Sequence, residues 1–171
     1  MPAFFVFVGI FITGIFMINF GQFIPAWDSS YYSMMMAQNI PLKQYLNSKA
    51  GLMTFSIIVL AILSTPYVYV GINILLLNLA CALYNIGINV PVLIFAGSFN
   101  KKRIDLEKSP FMNYQGTGAA QWLVGIPLML IPLLIWYAFY KFFNYDIAVI
   151  ALALLGLIGI VLRNFLMEKI A

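Results

Sequence analysis

The run Ile74-Leu75-Leu76-Leu77-Asn78-Leu79-Ala80-Cys81-Ala82-Leu83-Tyr84-Asn85-Ile86-Gly87-Ile88-Asn89-Val90-Pro91-Val92-Leu93-Ile94-Phe95 contains no charged side chain. One helical crossing of a bilayer takes about 20 mostly apolar residues, and this run meets that need. It lies inside a longer uncharged stretch, Ala50 to Asn100, which suits two helices. The break between them falls at Tyr69-Val70-Gly71-Ile72-Asn73, just after Pro66, because glycine and asparagine form turns. Composition agrees. The chain is 64% hydrophobic and 8% charged, whereas soluble domains are about 25% charged. The expected fold class is all-α: a single polytopic bundle of transmembrane helices.

Five apolar runs are expected, at about residues 3–25, 50–70, 74–95, 117–140 and 147–165. Pro127 and Pro132 lie inside the fourth and predict a kink there. Lys141 to Asp146 reads as a tight polar turn before the fifth. Gly156 and Gly159 in the fifth run suit close helix packing. A charged loop over about 99–116 separates runs three and four.

Charge sets the expected orientation. With the 27–49 segment, the 99–116 loop and the C-terminus on one side, that side holds eight of the nine basic residues, and only Lys141 lies opposite. The positive-inside rule makes that side cytoplasmic. The N-terminus is then expected outside and the C-terminus inside. Residue 1 on the outside, with an odd number of spans, is also what the C-terminal part of a longer chain would give. The net charge of +4 therefore reports topology and headgroup contact rather than nucleic acid.

Several chemistries find no residues to carry them. The sequence has no histidine and one cysteine, Cys81, which excludes a His/Cys metal site and an internal disulfide. No Walker-type phosphate loop occurs, so any ATP use falls to a partner. The acidic residues Asp28, Asp105, Glu107, Asp146 and Glu168 all fall in loops or at ends of runs. Ion pathways usually need ionisable groups inside the membrane, and acid–base catalysis needs positioned ones. Neither an ion-coupled carrier nor an enzyme is expected, and no cofactor is expected.

The polar residues inside run three are Asn78, Asn85 and Asn89. At about 3.6 residues per turn their offsets place them within about 20° of one line. An unpaired amide in hydrocarbon is costly, so the stripe faces protein or water. Two roles stay open: hydrogen bonding between helices, worth roughly 0.6–2 kcal/mol per contact, or lining a substrate path. Pro91 just beyond predicts a kink.

The segment Trp27 to Lys49 is a polar island between two uncharged runs. Asp28, Ser29 or Ser30 suits a helix N-cap. Tyr31 to Gln38 then reads as two helical turns, with Tyr31, Met34, Met35 and Gln38 on one face. Pro41 suits the start of a second helix carrying Leu42, Tyr45 and Leu46, which runs toward span two. A helix–elbow–helix of this kind is either an interfacial anchor or a surface that a protein partner engages.

The stretch Met35-Met36-Ala37-Gln38-Asn39-Ile40-Pro41, with Tyr45-Leu46-Asn47-Ser48-Lys49, resembles the cytoplasmic signature of ABC-2-type exporter permeases. Asp28 fills the signature's acidic place and Lys49 its terminal lysine. The family's Glu-x-Gly-Thr is absent, Ser48 replaces its glycine, and the proline is displaced by about two positions. The stretches Asn19 to Asp28, Phe99 to Leu106 and Tyr114 to Thr117 resemble a group of longer permease-like proteins in Bacteroidota. The resemblance implies spans two to six of a six-span permease unit. It also implies a separate ATP-binding subunit contacting Asp28, Tyr31, Met35, Gln38 and Lys43. The further partners it implies are membrane lipid and either a second copy or another permease half. A non-transporting membrane scaffold is the alternative.

Overall fold

The computed structural model describes residues 2–24, 28, 34, 37–38, 40–98 and 119–170. The expected 99–116 loop and most of the first arm of the 27–49 elbow lie outside the described residues. Everything regular among the described residues is helical. Helix α1 spans Pro2–Gly21 and α2 spans Leu42–Leu63, extended by a 3-10 turn at Thr65–Tyr69. Helix α3, Ile72–Tyr84, passes through a π turn at Asn85–Asn89 into α4, Val90–Ser98. Helix α5 spans Ala119–Phe142, α6 Tyr145–Val161 and α7 Arg163–Ile170.

Four helical rods have the length and hydropathy of a membrane crossing: Ala3–Gly21, Leu42–Tyr69, Ile72–Gly97 and Val124–Phe142. Helix α6 is apolar and shorter, at 17 residues. Several boundaries differ from the expected ones. The second run does not start at residue 50. Pro41 directly precedes the helix and Leu42 opens it, so the elbow's second arm is the first two turns of span two. The α-helix ends at Leu63 because Pro66, at the start of the following turn, cannot continue the hydrogen-bond ladder. The expected Lys141–Asp146 turn shrinks to the residues around Asn144. Its side chain caps α6 by accepting from the Ile147 amide at 3.1 Å, so the helix begins at Tyr145.

Span three is the centre of the molecule. About 61% of its hydrophobic window is buried, against 33%, 22% and 17% for spans one, two and four. Span one and the shorter apolar helix α6, the fifth apolar run and so span five, flank it, both parallel to it. Along span one the contacts step in order: the Cys81 thiol faces the Val6 carbonyl, Asn85 reaches Ile10, and Gly97 meets Gly21. Along α6, Tyr145 donates to the Asn73 carbonyl at 2.9 Å, Gly156 lies on Tyr84, and Gly159 lies on Gly87. These three pairs share one sequence separation of 72, the signature of two parallel helices in constant register. Spans two and four run antiparallel to these three, as short connections require.

Size, rather than hydropathy, decides which face each helix buries. Helix α1 is apolar all round, and lipid is as apolar as leucine. Its buried face carries Val6, Gly9, Ile10, Thr13, Gly14, Met17 and Gly21, while Phe4, Phe7, Phe11 and Phe16 point outward. Small residues let backbones approach, and the large aromatics fill the lipid-facing side. Two apolar clusters result. One gathers Met17, Met53, Ile57, Leu93 and Leu128 toward the basic end. The other gathers Val6, Ile10, Leu77, Tyr84, Trp136 and Leu152 toward the opposite end.

Candidate functional site

The π turn lies among three of the five buried polar side chains of the described residues, Thr13, Asn85 and Asn89. Pro91 has no amide hydrogen, and in a regular α-helix its ring would strike the carbonyl of Gly87. The wider turn at Asn85–Asn89, in which the Val90 amide reaches back to the Asn85 carbonyl, lets the chain avoid that clash. The expected kink at Pro91 is thus a π turn placed just before it. Such turns are rare and cluster at functional sites.

Two of the three asparagines meet there. The Asn85 Nδ2 group donates to the Ile10 carbonyl at 3.1 Å and to Thr13 Oγ1 at 2.9 Å. Thr13 passes its own hydrogen to the Gly9 carbonyl at 2.7 Å. Asn89 Nδ2 donates to Asn85 Oδ1 at 2.7 Å and to the Leu128 carbonyl at 3.3 Å. Every amide hydrogen of Asn85 and Asn89 therefore has an acceptor. Thr13, Asn85 and Asn89 are all buried. The relay ties span one, span three and span four at one depth.

The Leu128 carbonyl is available for a structural reason. Its partner in the α5 ladder would be the amide of residue 132, and residue 132 is proline. A carbonyl left without a donor in hydrocarbon costs several kcal/mol, on the order of 2–7. Asn89 supplies the missing donor from the neighbouring helix. Neither feature calls for the other in the sequence, because Asn89 and Pro132 are far apart along the chain.

Asn78 stands apart from the relay. Two helical turns away, its Oδ1 lies against Gly9, where an added Cβ would come within 2.8 Å. Its Nδ2 and the Trp136 Nε1 are buried with no hydrogen-bond partner among the described residues. The expected line of three asparagines is thus a pair in a relay and a single residue near the opposite end. All three face protein.

The second candidate region is the basic end of the bundle. The Asp28 carboxylate accepts from the Tyr45 hydroxyl at 2.6 Å and pairs with Lys49 at 2.5 Å. The Lys49 ammonium also lies over the rings of Phe20 and Tyr45, at 5.8 and 5.4 Å from their centres. Lys49 therefore closes a clip between the end of span one, the island and the start of span two. The two residues that fill the acidic and basic places of the permease-like signature contact each other directly. Of the other expected partner contacts, Gln38 is exposed in a turn and Lys43 pairs with Glu168 of α7. Tyr31 and Met35 lie outside the described residues. Asp28 contacts Tyr45 and Lys49 of its own chain.

The family model matches residues 1–171. The chain belongs to DUF5687, a family of unknown function. No curated protein matches it, and no solved structure matches it. In this DUF5687 chain the described residues hold no group of three or more metal-ligating side chains. What sequence reasoning missed was the partner face. Gly9, Thr13, Gly14 and Gly21 recur at helical spacing, and that pattern of small residues was the signal for it. Pro132, four residues after Leu128, was the signal for the unpaired carbonyl.

Two predictions arise at the basic end. The first concerns the clip. Charge-assisted hydrogen bonds of this kind are worth about 1.5–3 kcal/mol. Replacing Asp28 by Asn should destabilise the protein by about 1–2 kcal/mol, measured by denaturant unfolding in micelles, and Lys49→Met should match it. Additive losses in the double variant would show that the two residues act separately. The second concerns Glu168. The hydrogen bond from Lys43, and then its positive charge, hold the Glu168 carboxyl below the usual carboxylate range. A depressed pKa in the folded state adds stability above the unfolded value, and that stability disappears as pH falls through the folded one. Wild type should exceed Glu168→Gln slightly at pH 7, and the difference should shrink as pH falls below the ordinary glutamate value of about 4.3. The pair is exposed, so added salt should shrink the difference as well.

Proposed function

We propose that this chain is the membrane-embedded permease subunit, or one permease half, of an ABC-2-like exporter in a bacterial inner membrane. A separate ATP-binding subunit docks on the 27–49 elbow. The basic end is cytoplasmic, by the positive-inside bias. The observation that carries this reading is the continuity of the elbow's second arm with span two. Helix α2 begins at Leu42, at the basic end, and runs unbroken to Leu63. A push on the elbow would move span two as a rod. Through the Asp28–Lys49 clip, the end of span one would follow. The resemblance of Met35 to Lys49 to the permease signature supports the same placement.

The alternative, a non-transporting scaffold, draws support from the relay. Its donors are all satisfied within the chain, so the relay presents no free donor to a passing substrate. On the permease reading the substrate path then runs between this chain and its partner half.

The test is co-purification of the tagged chain with an ATP-binding subunit from its native membrane. The same preparation is repeated with Tyr31, Met35 and Gln38 changed together to alanine. Association in wild type and its loss in the variant are expected. Association that survives removal of the whole elbow surface sinks the coupling idea. A topology reporter at Lys101 found outside sinks the orientation.

A further inference from the structure

A groove of about 500 Å³ runs along the outer seam between α4 and α6. Gly87 and Gly159 line it where the two helix backbones touch, and Pro91 lies beside them. Val92, Ile158 and Leu166 complete apolar walls. The groove starts at the π turn in mid-membrane and ends among Leu162 and Leu166, at the basic end. Arg163 lies between those two lining residues in the sequence. Among the described residues its side chain has no acidic partner. Asp28 is taken by Lys49 and Glu168 by Lys43, and Asp146 opens α6 at the opposite end.

We propose that this groove binds one anionic phospholipid from the leaflet at the basic end. An acyl chain fills the seam from Leu166 toward Gly87, and the phosphate sits on the Arg163 guanidinium. Two features select this occupant. The walls are apolar and belong to helices with the hydropathy of the membrane interior, where acyl chains are the available ligand. Arg163 stands three residues before the lining Leu166 in α7, on the same helix face, and its guanidinium is planar, permanently charged and matched to a phosphate in a bidentate way. A zwitterionic lipid offers the same chain, but its own cation offsets the charge that Arg163 reads.

The test is native mass spectrometry of the full chain in detergent, titrated separately with dioleoylphosphatidylglycerol and dioleoylphosphatidylcholine. One phosphatidylglycerol per chain should be retained about tenfold more tightly than phosphatidylcholine, the gain expected of one charge-assisted contact. Arg163→Gln should erase that preference, while Lys141→Gln, at the opposite end, should preserve it. Val92→Trp, which fills the groove from its exposed wall, should remove the retained lipid of either kind. Equal retention of the two lipids by wild type would overturn the proposal. So would an unchanged preference in Arg163→Gln, an equal loss in Lys141→Gln, or a lipid retained in Val92→Trp. Arg163→Gln changes a side chain beyond the end of α6, so it tests the headgroup contact without disturbing the glycine packing.

Discussion

Gly87→Ala is expected to destabilise the protein by at least ~1–3 kcal/mol, the cost of overpacking a tight contact. A Cβ built on Gly87 would lie 1.9 Å from the Gly156 carbonyl oxygen, and backbone cannot step aside as a flexible side chain can. Gly156→Ala should cost a similar amount, since its Cβ would meet the Leu83 carbonyl and the Tyr84 amide at 2.4–2.6 Å. Gly159→Ala meets the Gly87 carbonyl at 2.4 Å. These three positions are one interface, so their double variants should be less than additive. Gly51 is the control. Nothing lies within 4 Å of a Cβ there, and it sits inside α2, where replacing glycine by alanine gains about 0.5–1 kcal/mol. The chain carries its own reporter: Cys81, its single cysteine, is buried. Its alkylation rate in increasing denaturant should rise earlier in the Gly87 and Gly156 variants and later in Gly51→Ala. Equal behaviour of Gly51 and Gly87 would mean that spans three and five do not meet at this seam.

Asn89→Leu is expected to cost about 1–3 kcal/mol, and most of that cost should vanish when Pro132 is replaced by alanine. Asn89 matters because it serves a carbonyl that Pro132 leaves unpaired. In the Pro132→Ala background the residue 132 amide can serve Leu128 within its own helix. Removing Asn89 then orphans only its contact with Asn85 Oδ1. The cycle should therefore show an interaction energy of about 1 kcal/mol. Strict additivity would sink the link between the π turn and the span-four proline. Asn85→Leu in the same assay should cost more than Asn89→Leu, because Asn85 serves Thr13 and Ile10 and also receives Asn89. The two changes together should cost clearly more than Asn85→Leu alone, because Asn89 still serves the Leu128 carbonyl when Asn85 is gone.

Both predictions rest on spans three, four and five meeting at one depth, and this is also where the limits of sequence reading lie. Membrane character follows from composition and the uncharged runs. The number and order of the apolar runs follow from the positions of charge, glycine and proline. The polar island could be located in the same way, as could the expectation that the asparagines of span three face protein. Each of these is a local property or a sum over the chain, so a linear string contains it.

The pairings of the chain are different in kind. Asp28 with Lys49, Lys43 with Glu168, Asn85 with Thr13, and Asn89 with the carbonyl that Pro132 frees all join distant segments. In the membrane, hydropathy does not rank one helix face above another, so the choice of buried face passes to side-chain volume and to backbone groups that lack a donor. Volume and missing donors act only between helices already side by side. The sequence alone therefore determined that this protein crosses a membrane and where its polar elements fall along the chain. Tertiary structure decided that span three is the centre, that glycines bring spans one and five onto it, and that the asparagine stripe divides into a relay and a separate Asn78.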